Sequence, residues 1–395
     1  MKKVIFALIL IFMLWPVEAF AAPQDSGNWY KEMENLLKDQ LNELNTSDWE
    51  PFLKYIHEEN TDILGNKPAE QIIGDLLTGR FTFGWQDFLN LISRTFFKEF
   101  SLNLSLMAKI IVIALLCAIF RNMNDSFNNP SVGEIGYFVC YSVVIILVIQ
   151  SLISIVTVGR TGIERMSGFM QVIFPVLLGL LMAVGNFTTT SLMQPAIGVL
   201  IGTVGSLLTN IVFPLITLSA VITLVNHISE RVQIQKLGKL LNNLCIWTLT
   251  LIFTIFIGVL TIQGAMTATF DGISIRTAKF ALDTFVPIVG KMFSQSLDTI
   301  IGCSLLLKNA VGVSGLIIIL LLCLTPVIKI FTLMLLYKLS GALLEPITDK
   351  RIAECLNGIG GVLNVLLITV MGIALMFFFT VTLIIGTGNA TMMLR

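Results

Sequence analysis

Apolar residues along this chain fall into long unbroken runs rather than alternating stretches. The runs cover 104–120, 135–158, 169–187, 192–226, 244–264, 311–337 and 362–387, with a weaker, charge-dotted run over 279–306. Roughly twenty apolar residues make a helix that crosses about 30 Å of hydrocarbon while satisfying its own backbone hydrogen bonds. The pattern predicts an all-α, polytopic membrane protein. The run 192–226 exceeds one span at about 1.5 Å per residue, and Pro214 points to a break in it. Two pairs are ambiguous: 169–187 with the start of 192–226, and 279–306 with the start of 311–337. If each pair crosses twice there are ten helices, and if neither adds a crossing there are six.

Ahead of these runs the pattern changes. Lys2 and Lys3 precede an apolar run from Val4 to Trp15, Pro16 ends it, and Ala19-Phe20-Ala21 gives a small-x-small cleavage pattern. That run is too short to span, so residues 1–21 read as a signal peptide cleaved after Ala21. Without a nearby cysteine, a lipoprotein is excluded. Residues 22–103 then alternate polar and apolar positions at helical spacing, as in Met33, Leu36, Leu37, Leu41 and Leu44. Ser47 and Glu50 form a capping-box pair ahead of Phe52, Leu53 and Ile56. Pro68 suits the first turn of a helix carrying Ile72, Ile73, Leu76 and Leu77. Aromatic residues from Trp85 to Phe100 suit the headgroup level. A segment this small makes a marginal core alone, and we expect it to lean on the membrane or on a partner.

The apolar region also repeats. Pro175 and Pro214 have the same spacing as Pro287 and Pro326, and the second pair follows the first at an offset of 287 − 175 = 112 residues. Phe174-Pro175-Val176 answers Val286-Pro287-Ile288, and Gly258 answers Gly372. Stretches 163–266 and 276–388 thus read as two copies of one unit, as in membrane folds built by duplication. Lys109-Ile110 with Leu115-Leu116 matches Lys329-Ile330 with Leu335-Leu336, which reads as half a copy before them. The expected organisation is a signal peptide (1–21), an extracytoplasmic segment (22–103), a first membrane hairpin (104–162) and repeats at 163–275 and 276–395.

Composition and charge sharpen this picture. The chain is 55% hydrophobic and 13% charged, with a mean hydropathy of +0.87, more apolar surface than a soluble domain can hide. Residues 22–103 hold 14 acidic and 7 basic side chains, so the zero net charge conceals an acidic soluble part. Neither part has the basic face of a nucleic-acid binder. The loop with Arg231, Lys236 and Lys239 and the loop with Lys338, Lys350 and Arg351 are the most basic of their copies and are expected inside, as is Arg121. Arg160 and Arg165 then face outward, an exception to that rule, and Arg395 lies outside. The six cysteines have no metal or redox spacing and read as packing residues.

Little here points to catalysis. His57 and His227 are the only histidines, there is no zinc-helix spacing around His227, and no phosphate-binding loop occurs. Gly312-Val313-Ser314-Gly315 resembles the serine motif of rhomboid proteases, but a serine nucleophile needs a base. Only His227 is available in the membrane part, and it precedes the serine, the reverse of that family's order. Gly198, Gly202 and Gly205 are spaced for close helix packing and for a self-association face. Lys109 lies near the end of its run and can snorkel to the headgroups. Lys329 lies near the middle of 311–337, where a charge marks a pathway or a polar partner unless Pro326 breaks the helix. No cofactor is implied and no enzyme is expected.

The order of signal, acidic amphipathic segment and apolar region resembles one family from end to end. Val172-Ile173-Phe174-Pro175-Val176 and Leu237-Gly238-Lys239-Leu240-Leu241-Asn242 carry the same texture, and the chain is similar to stage III sporulation protein AE of endospore-forming bacteria. The resemblance implies a membrane component of the channel-like, secretion-like complex between mother cell and forespore, needed for forespore development and late gene expression. It implies other membrane proteins of that complex as partners, a separate ATPase among them, and a place in the mother-cell membrane around the forespore. It supplies no catalytic residues. A solute permease is the alternative raised by the repeats, and an intramembrane protease using Ser314 comes third.

Overall fold

The computed structural model divides the chain into two units, 1–44 and 45–395. The structure describes residues 49–59, 84–126, 130–228, 235–285, 289–348 and 350–393, all in the second unit, and side chains in a subset of these. The signal peptide, most of the segment 22–103, Pro287, and the side chains of His57 and His227 lie outside the described residues.

Every described element is helical: α1 (Glu50–Glu59), α2 (Trp85–Ser126), α3 (Pro130–Ala183), α4 (Phe187–Leu207), a π-helical segment (Leu208–Val212), α5 (Phe213–Ile228), α6 (Gln235–Phe285), α7 (Val289–Leu344) and α8 (Lys350–Met393). Among the described residues, six stretches are long and apolar enough to cross a membrane: Phe88–Arg121, Ile135–Ala183, Phe187–Asn226, Lys236–Ala265, Ile300–Leu344 and Lys350–Thr387. The chain is thus a multi-pass, all-α membrane protein, at the lower of the two helix counts.

The count is six because the prolines do not break the helices. Pro175 lies inside α3 and Pro326 inside α7. Expected as a break, Pro214 sits two residues after the π segment, which widens the helix locally where the proline ring displaces a backbone bond. The run 279–306 is divided, its first residues ending α6 at Phe285, while residues 289–306 continue without a break into 311–337 within α7. Several threonine hydroxyls in these runs are satisfied locally. Thr223, Thr254, Thr369 and Thr380 each donate from Oγ1 to the carbonyl four residues back, so a threonine leaves no open polar group in an apolar setting.

The real chain reversal falls at 184–186. The Gly185 N–H donates to the Met182 carbonyl at 2.8 Å and the Asn186 N–H to that of Leu181 at 3.2 Å. Gly185 has φ 93°, the left-handed conformation that this helix ending requires and that glycine adopts without strain.

Helices α7 and α8 form the antiparallel centre. Near one end, a Cβ at Gly341 would come within 2.8 Å of Asn357 Oδ1, and at the other Lys308 reaches the Ile385 carbonyl. Helix α3 crosses α7 through Gly162 against Pro326 and Ile173 against Gly315. Helix α4 follows α3 through Gly198 beside Phe174 and Gly205 beside Ser167. Helix α6 lies along α8, with Phe253 filling the space at Gly372 and Leu383 near Gly264. The expected domain limits at 162/163 and 275/276 fall within α3 and α6.

Candidate functional site

Charges among apolar helices are the features that packing alone does not explain. Lys329, on the unbroken α7, has Nζ 3.8 Å from Glu99 Oε1 of α2, and both side chains are largely shielded at 23% and 13% exposure. The Phe96 ring lies 6.2 Å from that of Phe331 and 5.9 Å from that of Phe100. The Phe96–Phe331 contact joins the same two helices, α2 and α7, as the ion pair. The polar partner that the position of Lys329 calls for is therefore a carboxylate on another helix. Lys109 of α2 is exposed.

Lys308 escapes a reading of the sequence. Its side chain is fully buried, and Nζ donates to the Ile385 carbonyl at 2.9 Å. In the sequence it stands between a weak run and a strong one and looks like a loop residue. Only the fusion of both runs into α7 places it inside a helix, pinned across the α7–α8 pair. The signal that could have found it is the absence of glycine and proline between 303 and 311.

A polar cavity of about 520 Å³ opens where α5, α6 and α8 meet. It is lined by Ser219, Thr223 and Asn226 of α5, Lys239, Asn242 and Asn243 of α6, and Glu354 and Asn357 of α8. Gly238, Gly358 and Gly361 leave room between the backbones. The cavity offers amide donors and acceptors with one charge of each sign, a surface for a polar or zwitterionic group. It adjoins the loops read as basic and cytoplasmic, and its lining comes from three separated sequence segments.

The remaining sequence candidates scatter. Pro326 is buried, and a Cβ on Gly162 would come within 3.0 Å of its Cγ, while Pro175 and Pro214 are exposed. Gly198 and Gly205 serve the α3–α4 contact, and Gly202 meets nothing within 4 Å. Ser314 is buried and donates to the Ala310 carbonyl at 2.8 Å, while its flanking glycines admit Ile385 and Ile173. The motif works as a packing notch. Among the described residues no three of His, Cys, Asp and Glu come together as a metal site.

Comparison with known proteins adds a family. A family model described as stage III sporulation protein AE matches residues 68–388. A curated relative, stage III sporulation protein AE of Bacillus subtilis (strain 168), is 35% identical over 321 residues, which cover 81% of this chain and 80% of the relative. No solved structure matches.

Proposed function

The chain belongs to the stage III sporulation protein AE family and has a role in sporulation, and on that premise we propose that it is an integral membrane component of a channel-like, secretion-like complex joining mother cell and forespore. One observation carries the reading: the family match runs through all six apolar spans, so the membrane region itself is the shared part. In this reading the chain sits in the mother-cell membrane around the forespore, residues 22–103 lie outside the cytoplasm, and a separate ATPase supplies energy. The chain acts without catalysis of its own. The test is isolation of an affinity-tagged chain from sporulating cells. Co-isolation of other sporulation membrane proteins and an ATPase supports the reading, and recovery of the chain alone, with normal spore titre in its deletion strain, sinks it.

The polar cavity favours a second reading, a solute permease. Purified chain that moved a defined solute across reconstituted vesicles without partners would select it.

A further inference from the structure

The polar cavity between α5, α6 and α8 has properties that helix packing does not require. Ser219 lines it and is only 2% exposed, and among the described residues its hydroxyl has no hydrogen-bond partner. Thr223, one turn further along, donates to the Ser219 carbonyl at 2.7 Å and so has its own hydroxyl satisfied. A buried hydroxyl without a partner is unfavourable, and a ligand group entering the cavity removes that cost. Four asparagines, Lys239 and Glu354 line the same space. Lys239 on α6 and Glu354 on α8 are both exposed, and among the described residues they do not close on each other as an ion pair. A Cβ on Gly361 would meet nothing within 4 Å, so α8 leaves open space there. The volume of about 520 Å³ lies within the roughly 300–1,000 Å³ of small-molecule sites.

Its position narrows the ligand. The apolar stretch of α5 ends at Asn226, and those of α6 and α8 begin at Lys236 and Lys350. The cavity therefore lies at one end of the membrane region, the end with the basic loops. Ser219 stands 226 − 219 = 7 residues before Asn226, about 10 Å of helix at about 1.5 Å per residue. The cavity thus runs from the headgroup level into the edge of the hydrocarbon. Exposed apolar residues adjoin it on the same helices: Leu218, Val221 and Val225 on α5, and Leu240 and Leu244 on α6. A ligand with acyl chains can lay them along these residues while its polar end fills the cavity. A ligand without chains gains nothing from them.

We propose that the cavity binds the headgroup of an aminophospholipid, a phosphodiester that carries a primary amine. The Lys239 ammonium meets the phosphate, and the Glu354 carboxylate meets the amine of the ligand. Asparagine carbonyls accept the remaining amine hydrogens, while asparagine amides and the Ser219 hydroxyl donate to phosphodiester oxygens. One charge of each sign suits this zwitterion. A quaternary amine offers the carbonyls no N–H, and a headgroup without an amine leaves Glu354 unmatched. The site goes beyond the proposed role in the sporulation complex and does not depend on it.

Lipid retention by the purified full chain tests this. The chain is held in detergent with equal amounts of phosphatidylethanolamine, phosphatidylcholine and phosphatidylglycerol, and bound lipid is read by native mass spectrometry. We expect phosphatidylethanolamine to be retained at least about tenfold over either of the others, the effect of one charge-assisted hydrogen bond. Equal retention of all three, or a preference for another, overturns the proposal. Lys239→Gln and Glu354→Gln, at exposed positions, are each expected to lower the preference about tenfold at an unchanged melting temperature. Full preference in either variant overturns the site. Gly361→Phe fills the open space and is expected to abolish the preference, and a folded variant that keeps it overturns the site equally. Should that variant not fold, the two charge replacements decide. Glycerophosphoethanolamine, the same headgroup without chains, distinguishes a soluble source. It is expected to compete at least about a hundredfold more weakly than the lipid, and competition at equal strength overturns the lipid as the ligand.

Discussion

The hairpin of α4, α5 and α6 and the hairpin of α7 and α8 are hard to tell apart in sequence. They fall in the two stretches related at an offset of 112 residues, and both turn at a basic loop. In space they differ. The most apolar windows of the second hairpin are 61% and 67% buried, those of the first only 39% and 28%. The second is the centre of the bundle, and the first exposes Val199, Trp247, Leu251 and Ile262. The lesson is specific to membranes. Lipid is as apolar as leucine, so hydropathy reports that a helix is out of water but not whether it touches protein. Steric fit at small residues, rather than hydrophobicity, separates core from periphery.

The matched glycines offer the sharpest way to break this comparison. A side chain at Gly372 would run into the Phe253 ring, whereas Gly258 has nothing within 4 Å. Gly372→Leu is expected to cost about 3 kcal/mol, at the upper end of overpacking penalties, and to deplete the protein from membranes. Gly258→Leu should leave both membrane level and detergent melting temperature unchanged. Equal losses at both sites would erase the distinction between centre and periphery.

A smaller effect is expected at the ion pair linking the centre to α2. Lys329→Leu or Glu99→Leu removes one member of this ion pair, while the double variant removes both. The coupling should be about 1–3 kcal/mol, with spore titre lowered in each single variant and partly recovered in the double. Lys109→Leu, at an exposed lysine, should match wild type in titre and protein level. Additive single effects would show that the pair does not act as a unit.

The reversal before α4 comes next. Gly185→Ala forces a side chain into the left-handed region and should cost about 1 kcal/mol, read as a lower melting temperature of purified protein. The smallest effect is expected on the periphery. Trp247→Ala, at 74% exposure, should change detergent stability by less than about 0.5 kcal/mol. A large loss there would show that α6 packs on something in the isolated protein.

How much was legible follows from these cases. The all-α membrane class, the apolar runs and the family texture could be read in order along the chain, because a helix in lipid must be both long and apolar. The proline breaks misled: a missing N–H can be absorbed by a π segment at Leu208–Val212 or accommodated within α7, and neither leaves a mark in composition. The role of Lys329 was legible as a need for a partner, but Glu99 was not identifiable as that partner, since it lay in the segment assigned to water. The contact of Lys308 with Ile385 and the asparagine-lined cavity were invisible, because each depends on side chains of different helices meeting at one level.

The sequence by itself determined that these helices form and leave water, since hydrogen bonding and hydrophobicity act locally along each run. Only the tertiary structure decided which of them became the centre and which charges faced one another. Those outcomes depend on where a glycine admits a neighbouring side chain and on how far one helix slides along another. Hydropathy carries neither quantity.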